Sequence, residues 1–386
     1  MPNLQLIATS AIGLEAVVAR ELHQLGYTNT KSFNGYVEFT GDVSAIARTN
    51  LWIRSADRIL IKMGEFEAVT FDALFEQTKA LQWENFLDED ARFPVECRTV
   101  KSVLSSAPAC QSIVKKAVVE ALKRAYDIQV FPESGPLYGI EVALHNDRAL
   151  LTIDTSGQGL HKRGYRKLTA LAPIKETLAA SLVLLSRWQG HRPFADPLCG
   201  SGTIAIEAAM IGLNMAPGAK RTFASEEWPL LFLNEWKHAR NEADDLVKRD
   251  AKLEIFASDI DREVLSLAEY HIRTAGVGSH IKLTQKDVAA FHTNLSYGCI
   301  VTNPPYGERL YDKKEVERLY HKMGRAFLKE ETWSYFIITS HPMFEKLFGK
   351  RADKKRKLYN GRIQTNLFQY LGPLPPRHFK SEEQRI

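Results

Sequence analysis

Four consecutive residues, Asn303-Pro304-Pro305-Tyr306, directly follow an apolar run at 299–302 that is typical of a β-strand. The Asn303 side-chain oxygen and the Pro304 carbonyl can accept both N–H groups of an exocyclic nucleobase amine. Such an amine is a poor nucleophile because its lone pair is delocalised into the ring, and these acceptors would stabilise the charge that develops during transfer. The prolines fix the backbone, and Tyr306 offers a flat face to a base removed from its helix. A rigid Pro-Pro turn with a buried tyrosine is the alternative interpretation.

A glycine loop follows another short strand and opens a helix. Its candidate ligand-binding residues are Asp196, Pro197, Cys199, Gly200, Ser201, Gly202 and Thr203. Glycines let a backbone approach a ligand closely, and a helix N-terminus favours an anionic group. Residues 200–205 also fit the pattern G-x-G-x-x-A, which is typical of dinucleotide-binding folds. This motif alone therefore leaves both a dinucleotide and S-adenosylmethionine as candidate cofactors.

The position of the next acidic residue separates the two cofactors. A dinucleotide-binding fold has its acidic residue about 20 residues after the glycines. Here the next strand with an acidic end is at 257–261, beyond a segment at 213–252 that is rich in Trp, Phe and charged residues and is predicted to be an inserted helical excursion. Together with the motif at Asn303, this late position favours S-adenosylmethionine over NAD.

Carboxylates at the ends of two strands complete the predicted cofactor site. We expect Asp259 to accept the ribose hydroxyls, with Ile260 beside it and Asp261 as a helix cap or second contact. Asp287, followed by Val288, either accepts from an adenine amino group or caps the next helix. These two roles for Asp287 are equally open.

The elements that must position these residues alternate from about residue 173 onward. Predicted strands lie at 194–195, 254–258, 281–285, 299–302 and 333–339, and predicted helices at 203–211, 262–274, 288–292, 316–328 and 342–348. Alternation of this kind predicts a parallel sheet with helices on both faces. Asn360-Gly361 predicts a closing hairpin. The predicted fold class is therefore α/β, with a class I Rossmann-like methyltransferase sheet.

The first half of the chain is predicted to have an α+β fold, and we identify no candidate catalytic residues in it. Predicted strands lie at 4–9, 36–39, 59–63, 93–97, 138–144 and 149–154, and predicted helices at 13–25, 71–81 and 112–126. A basic, glycine-punctuated hinge follows, in which Lys162, Arg163 and Arg166 are candidate RNA contacts. A second basic run at 350–357 is either a solvated face or a phosphate contact.

Composition limits the classes of protein that remain. The chain has 386 residues, 45% hydrophobic and 25% charged, with a formal net charge of +5, which permits a nucleic-acid partner without demanding one. The four cysteines form no CxxC pair and no zinc-like cluster, so we expect no metal and a reducing cytoplasm. We find no signal peptide and no apolar stretch approaching the roughly 20 residues that span a bilayer.

Taken together, the motifs resemble bacterial THUMP-domain class I RNA methyltransferases of the guanine-N2 type, some relatives of which are labelled adenine-N6 DNA methylases. The resemblance covers essentially the whole chain. It runs through LIAT at 6–9, GLE at 13–15, GLHKRGYR at 159–166, PIKETLAA at 173–180, DPLCGSGT at 196–203, SDID at 258–261, KDV at 286–288 and NPPYGERL at 303–310.

The resemblance implies three domains and an RNA partner. The domains are ferredoxin-like at 1–44, THUMP at 45–157 and S-adenosylmethionine-dependent methyltransferase at 162–386. The implied partner is RNA, above all large-subunit ribosomal RNA, bound through the THUMP domain. The implied cofactor residues are those of the glycine loop with Asp259 and Asp287, and Asn303 and Tyr306 would face the base.

Three functions remain open from the sequence. The first is guanine-N2 methylation of RNA, and the second is adenine-N6 methylation of DNA or RNA, since the motif at Asn303 suits either amine. The third is an RNA-binding assembly module with an inactive methyltransferase fold. The intact glycine loop and the sequence Asn303-Pro304-Pro305-Tyr306, here called the amine motif, argue against the third function. Only the resemblance favours RNA over DNA.

Overall fold

The computed structural model describes residues 3–166, 174–228, 233–306 and 312–376, so residue 173 and residues 307–310 of the motifs above lie outside it. The chain divides into two compact units. The first consists of Met1–Ser10, Val18–Leu160 and Arg221–Glu242, and the second of Ala11–Val17, His161–Lys220 and Ala243–Ile386.

A seven-stranded sheet forms the frame of the first unit. Its strands are β1 (Leu4–Thr9), β2 (Thr30–Phe33), β3 (Tyr36–Gly41), β4 (Arg58–Glu67), β5 (Val95–Val100), β6 (Gly139–His145) and β7 (Arg148–Asp154). The spatial order is β2-β3-β1-β4-β7-β6-β5, and neighbours are antiparallel except for β5 and β6. The predicted strands are all present, and β2 is additional.

Four helices complete the N-terminal half. They are α1 (Glu15–Gln24), α2 (Val43–Trp52), α3 (Phe71–Lys79) and α4 (Ala107–Tyr126). The sequence did not predict α2. Eight of its ten residues are buried, so it has apolar residues on most sides and lacks the one-sided periodicity that identifies a surface helix. Its N-cap, Asp42, accepts a hydrogen bond from the Ala45 N–H.

The second unit contains another seven-stranded sheet. Its strands are β8 (Phe194–Asp196), β9 (Ile255–Asp259), β10 (Ile281–Gln285), β11 (Cys299–Thr302), β12 (Ser334–Thr339), β13 (Lys354–Asn360) and β14 (Ile363–Tyr370). The order is β10-β9-β8-β11-β12-β14-β13, in which β8 to β12 are parallel and the hairpin β13–β14 is antiparallel. The predicted Rossmann-like sheet and its closing hairpin are confirmed.

The helices of the C-terminal half follow most of the predicted positions. They are α5 (Glu176–Ser186), α6 (Thr203–Gly212), α7 (Leu233–Asp245), α8 (Arg262–Ala275), α9 (Lys313–Phe327) and α10 (Phe344–Phe348). The helix predicted at 288–292 is wrong, because only a single 3-10 turn forms at Val288–Ala290. The chain beyond it, rich in Asn, Ser and Gly, does not continue a helical pattern.

Side chains of the second sheet alternate between two apolar clusters. Val301 and Phe336 belong to one cluster, whereas their neighbours Ile300 and Tyr335 belong to the other. Burial on both faces is what a parallel sheet covered by helices on both sides requires.

Two segments belong to a unit other than that of their sequence neighbours. Arg221–Glu242, which lies between β8 and β9 in the sequence, is part of the first unit. There the Trp228 ring stacks on Tyr138 with 4.4 Å between centroids. Conversely, Leu14 and Val17 lie in a core cluster of the second unit. The predicted domain boundaries at 44, 157 and 162 stay a prediction.

Candidate active site

The glycine loop follows β8 and the amine motif follows β11, so both lie at the same edge of the second sheet. β8 pairs in parallel with β11, with Phe194 opposite Cys299. β8 also pairs with β9 on its other side, so the strand order changes direction at β8. Ligands of open α/β sheets bind at such a switch point, outside the carboxyl ends of the strands. Two motifs about a hundred residues apart are thus brought together.

A buried carboxyl group links the bases of the two motifs. Asp196, which ends β8, is 1% exposed. Its Oδ1 accepts hydrogen bonds from Thr302 Oγ1 at 2.7 Å and from the Leu198 N–H at 3.4 Å. Burial raises the pKa of Asp196 to about 7, although the hydrogen bond from Thr302 opposes this shift. Because Thr302 directly precedes Asn303, the link joins the cofactor loop to the amine motif.

The two loop glycines have different physical roles. Both have left-handed backbones, with φ of +50° at Gly200 and +81° at Gly202. A Cβ at Gly202 would lie 3.3 Å from the Ala268 Cβ on α8, so this glycine permits close packing of α6 on α8. A Cβ at Gly200 would meet nothing within 4 Å. Gly200 therefore borders open space, which fits the close approach of a cofactor.

The remaining loop residues are mostly buried. Pro197, Cys199, Ser201 and Thr203 all lie in the interior, and the Cys199 N–H donates to the Ser258 carbonyl at 2.9 Å. Burial raises the pKa of the Cys199 thiol well above its ordinary value. The loop therefore presents mainly its backbone to a ligand, and these side chains hold its shape.

The two aspartates that follow β9 make different contacts. The half-buried Asp259 accepts from the Gly200 N–H at 2.9 Å through Oδ2 and from the Asp261 N–H at 3.1 Å through Oδ1. Asp261 is the N-cap of α8 and accepts from the backbone N–H groups of Glu263 and Val264. Ile260 between them is 57% exposed. Asp259 thus supports the glycine loop, and Asp261 serves as a cap.

Asp287 has partners on both of its oxygens. Oδ1 accepts from the Ala289 N–H at 2.8 Å, and Oδ2 lies 3.0 Å from Lys322 Nζ on α9. The backbone hydrogen bond and the lysine lower the pKa of this carboxyl group. Its neighbour Val288 is buried. Asp287 therefore caps this turn, which leaves acceptor sites of its carboxylate for a further donor. The side chain stays ionised at the edge of the site.

The amine motif carries a hydrogen bond that the sequence did not predict. Tyr306 Oη donates to Asn303 Oδ1 at 2.5 Å, and Asn360 Nδ2 donates to Tyr306 Oη at 3.4 Å. Asn303 and Tyr306 are partly exposed, whereas Pro304 is buried. Asn360 had been interpreted only as a turn residue. Its contact with Tyr306 brings the β13–β14 hairpin to the motif.

One predicted RNA contact is wrong. The Arg163 side chain is only 2% exposed, and its Nε lies 3.5 Å from Oε1 of the fully buried Glu207 on α6. Tyr165 Oη donates to the same oxygen at 3.0 Å. A guanidinium enclosed in this way does not reach an RNA phosphate. Arg163 instead anchors its segment to the helix that follows the glycine loop.

The other two candidate RNA contacts, Arg166 and Lys162, differ in how exposed their side chains are. Arg166 pairs with Glu176 at 3.5 Å and donates to the Ile174 carbonyl at 2.9 Å, and its side chain is 16% exposed. Lys162 is exposed. Of the three predicted contacts, Lys162 is therefore the most exposed, and its contact with RNA stays a prediction.

The second basic run forms part of edge strand β13. Within it, Lys355 pairs with Glu345, and Arg356 Nη1 donates to the Gly13 carbonyl at 3.1 Å. Lys354 and Lys357 are exposed. Part of this run therefore has a structural role, and both interpretations of the exposed lysines remain.

The described ranges contain neither a metal-binding cluster nor a membrane-spanning helix. No group of three or more His, Cys, Asp or Glu side chains there could hold a metal ion. None of the helices described is long and apolar enough to cross a membrane.

Known family models match three ranges of the chain. Residues 163–369 match the family described as RMKL-like, methyltransferase domain. The chain belongs to this methyltransferase family. Residues 5–60 match the RlmL ferredoxin-like domain, and residues 68–154 match the THUMP domain.

Similar proteins cover almost the whole chain. YpsC of Bacillus subtilis (strain 168), named as a candidate RNA methyltransferase, is 51% identical over 386 residues, which are 99% of this chain and 100% of YpsC. A Listeria monocytogenes structure, described as a predicted N6-adenine-specific DNA methylase, is 52% identical, covers 97% of both chains and has a TM-score of 0.92. SMU.472, described as a candidate methyltransferase and crystallised with SAH, is 46% identical over 97% of this chain and 100% of its own, with a TM-score of 0.93.

The cofactor of this methyltransferase is S-adenosylmethionine, which supplies an activated methyl group. The residues present fit it. Gly200 borders open space at a helix N-terminus, and a carboxylate, Asp259, ends the adjacent strand. The earlier choice of S-adenosylmethionine over NAD is confirmed.

Proposed function

We propose that this protein transfers the methyl group of S-adenosylmethionine to the N2 amine of a guanine in large-subunit ribosomal RNA. The amine motif carries the proposal. It follows β11 directly, and the Asp196–Thr302 hydrogen bond connects its base to the cofactor loop. Two oxygen acceptors beside a cofactor site are suited to a weakly nucleophilic amine.

In this proposal the strand-end carboxylates hold the cofactor. Asp259 accepts from the ribose hydroxyls. A carboxylate has about four acceptor sites, and its two backbone N–H partners leave capacity for more. Asp287 accepts from the adenine amino group in the same way, while its contacts with Ala289 and Lys322 keep it ionised and in place.

The target amine is held by Asn303 Oδ1 and the Pro304 carbonyl. Asn303 Oδ1 has two lone pairs, so it can accept from the amine while Tyr306 Oη keeps its hydrogen bond to the same oxygen. Asn360 Nδ2 donates to that tyrosine hydroxyl. The Tyr306 ring stacks on the base. The cofactor would supply the methyl carbon by breaking its bond to the sulfonium sulfur, which leaves S-adenosylhomocysteine. The nitrogen that gains the methyl carbon becomes tetrahedral and positively charged, so both acceptors bind its protons more strongly until one proton passes to solvent.

Several observations support RNA as the substrate. Residues 68–154 match the THUMP domain, and YpsC is named as a candidate RNA methyltransferase. The formal net charge of +5 and the exposed Lys162 suit a phosphate backbone. We therefore assign RNA binding to the N-terminal half and chemistry to the second unit.

A second candidate function is adenine-N6 methylation of RNA or DNA. The description of the Listeria structure as an N6-adenine-specific DNA methylase favours it. The two acceptors at Asn303 and Pro304 can hold either exocyclic amine. The base itself must therefore be identified by experiment.

The deciding experiment compares modified nucleosides in a gene deletion with those in its parent strain. Mass spectrometry is applied separately to large-subunit rRNA, small-subunit rRNA, tRNA and DNA. We expect a loss of N2-methylguanosine from large-subunit rRNA, restored by the wild-type gene and not by an Asn303→Ala gene. Loss of N6-methyladenosine would establish the second candidate, and no change in any fraction would contradict both.

A further inference from the structure

A series of hydrogen bonds reaches the amine motif from behind. Tyr320 on α9 is fully buried, and its hydroxyl donates to the Pro305 carbonyl at 2.8 Å. The same hydroxyl lies 2.8 Å from Thr339 Oγ1 at the end of β12. Thr339 Oγ1 in turn accepts from the His341 N–H at 3.1 Å. Tyr320, Thr339 and His341 all lie outside the motifs that the sequence analysis identified.

The direction of each bond follows by elimination. A carbonyl oxygen has no proton, so the Tyr320 proton must point to Pro305. The Tyr320 oxygen must then be the acceptor in its bond with Thr339, and the Thr339 hydroxyl is the donor. Every donor in the series therefore points toward the motif, and successive bonds of this kind polarise one another in a low-dielectric interior.

This series supplies a constraint that the prolines lack. A pyrrolidine ring fixes φ but leaves ψ free to rotate. The bond from Tyr320 to the Pro305 carbonyl restrains ψ of Pro305, which sets the angle between the Pro304 carbonyl on one side and Tyr306 on the other. Both of these flanking groups are assigned to the target base.

We propose that Tyr320 is a positioning residue that, with Thr339, aims the Pro304 carbonyl and the Tyr306 ring at the target base. The inference rests on the proposed amine chemistry of the motif and is independent of whether the base is guanine or adenine. A misplacement of about 1 Å can cost on the order of a hundredfold in rate. Because the prolines still limit the loop, we expect the loss of the Tyr320 hydroxyl to cost about tenfold.

The chain offers a matched control in Tyr335. This tyrosine is 3% exposed and lies in the same apolar cluster as Tyr320. Its hydroxyl lies 2.5 Å from the Phe327 carbonyl oxygen and 2.6 Å from that of Glu330, and its one proton is donated to these backbone carbonyls. These carbonyls lie at the end of α9, outside the motif. Tyr335→Phe therefore removes comparable buried hydrogen bonds without touching the motif.

The test measures single-turnover methylation of deletion-strain RNA by the full-length chain with labelled S-adenosylmethionine. Tyr320→Phe should lower the rate about tenfold and change the Kd for S-adenosylhomocysteine less than twofold. Tyr335→Phe should keep the wild-type rate at an equal or larger loss in melting temperature. An unchanged rate in Tyr320→Phe, or equal rate losses in the two variants, would overturn the proposal.

A second variant and a structural measurement separate this inference from the proposed function. Thr339→Val removes the donor to Tyr320 and should lower the rate about threefold, an effect that should vanish in the Tyr320→Phe background. Label found in adenine would refute guanine as the target and leave these rate ratios intact. If no nucleic acid is labelled, crystal structures decide: a Pro305 carbonyl with the same orientation in Tyr320→Phe and wild type refutes positioning.

Discussion

The two sheets have the same number of strands but differ in strand direction, and therefore in how the loops at their edges are arranged. The first pairs its strands antiparallel at every position except β5–β6, whereas the second has β8 to β12 parallel. Parallel strands end at a common edge, so the loops that follow them converge. Antiparallel strands send successive loops to opposite edges. The candidate chemistry lies on the second sheet because its topology gathers distant residues.

Buried acids show that burial alone does not mark a site. Glu21 in the first unit and Asp196 in the second are both buried, and burial raises the pKa of each. Glu21 is enclosed by donors from Arg54 and Ser55, so it joins parts of the scaffold. Asp196 joins the cofactor loop to β11. The location at a shared strand edge distinguishes them.

The largest expected effect tests the ion pairs of the two units. Glu207→Ala leaves the buried Arg163 without its carboxylate and should lower the free energy of unfolding by about 3–5 kcal/mol. The control is Glu242→Ala in the first unit, whose partner Arg48 is 28% exposed and should lose about 1 kcal/mol or less. Urea unfolding measures both. Equal losses would contradict the contrast in burial.

The next effect concerns the two ends of one strand. Asn303→Ala, after β11, should lower the single-turnover rate by about 10²–10³ and leave cofactor affinity nearly unchanged, because its acceptor acts mainly in the transition state. Asn294→Ala, which alters an exposed residue before β11, is the matched control and should keep the wild-type rate. A wild-type rate in Asn303→Ala would refute the amine-acceptor role and favour an inactive module.

A smaller effect separates the neighbouring aspartates after β9. Asp259→Ala should weaken S-adenosylhomocysteine binding by about 1.5–3 kcal/mol, because a charged hydrogen-bonding partner is lost. Asp261→Ala should instead cost about 1 kcal/mol of stability as a lost helix cap, with the weaker effect on binding. Calorimetry and thermal melting measure the two quantities. The reverse pattern would exchange the two assigned roles.

The last comparison concerns pH dependence within the site, where the effect is a slope with pH. The folded pKa of Asp196, about 7, exceeds its ordinary value of 3.8, so the folded state binds more protons between these values. Stability from this group should therefore fall as pH rises toward 7, by at most about 1.4 kcal/mol per pH unit, and level off above. Urea unfolding of wild type and Asp196→Asn between pH 5 and 8 isolates the contribution. Parallel curves would show that Asp196 does not titrate there.

Local patterns predicted the elements well where neighbours in sequence carry the signal. The strand at 299–302 and the hairpin at Asn360-Gly361 were predicted at their observed positions, since strand propensity and turn chemistry act over a few residues. The buried α2 and the short turn after Asp287 were not predicted correctly. Burial on most sides removes helical periodicity in the first case, and in the second a cap is not followed by a helix.

The sequence by itself determined which residues can do chemistry and at which strand ends they stand. Asp196, Asp259 and Asn303 were all identified from residue type and adjacency to a strand. Their mutual proximity also follows once the parallel order is known, because strand ends share an edge.

Only the tertiary structure decided what those groups touch. It buries Arg163 against Glu207, a residue 44 positions away, and so turns a predicted RNA contact into a structural one. It also assigns Arg221–Glu242 to the first unit and Ala11–Val17 to the second, so a cut near residue 161 would remove Leu14 and Val17 from the second core. It aligns Tyr320 behind Pro305. Such pairings depend on packing between distant segments, and no local pattern of residues encodes them.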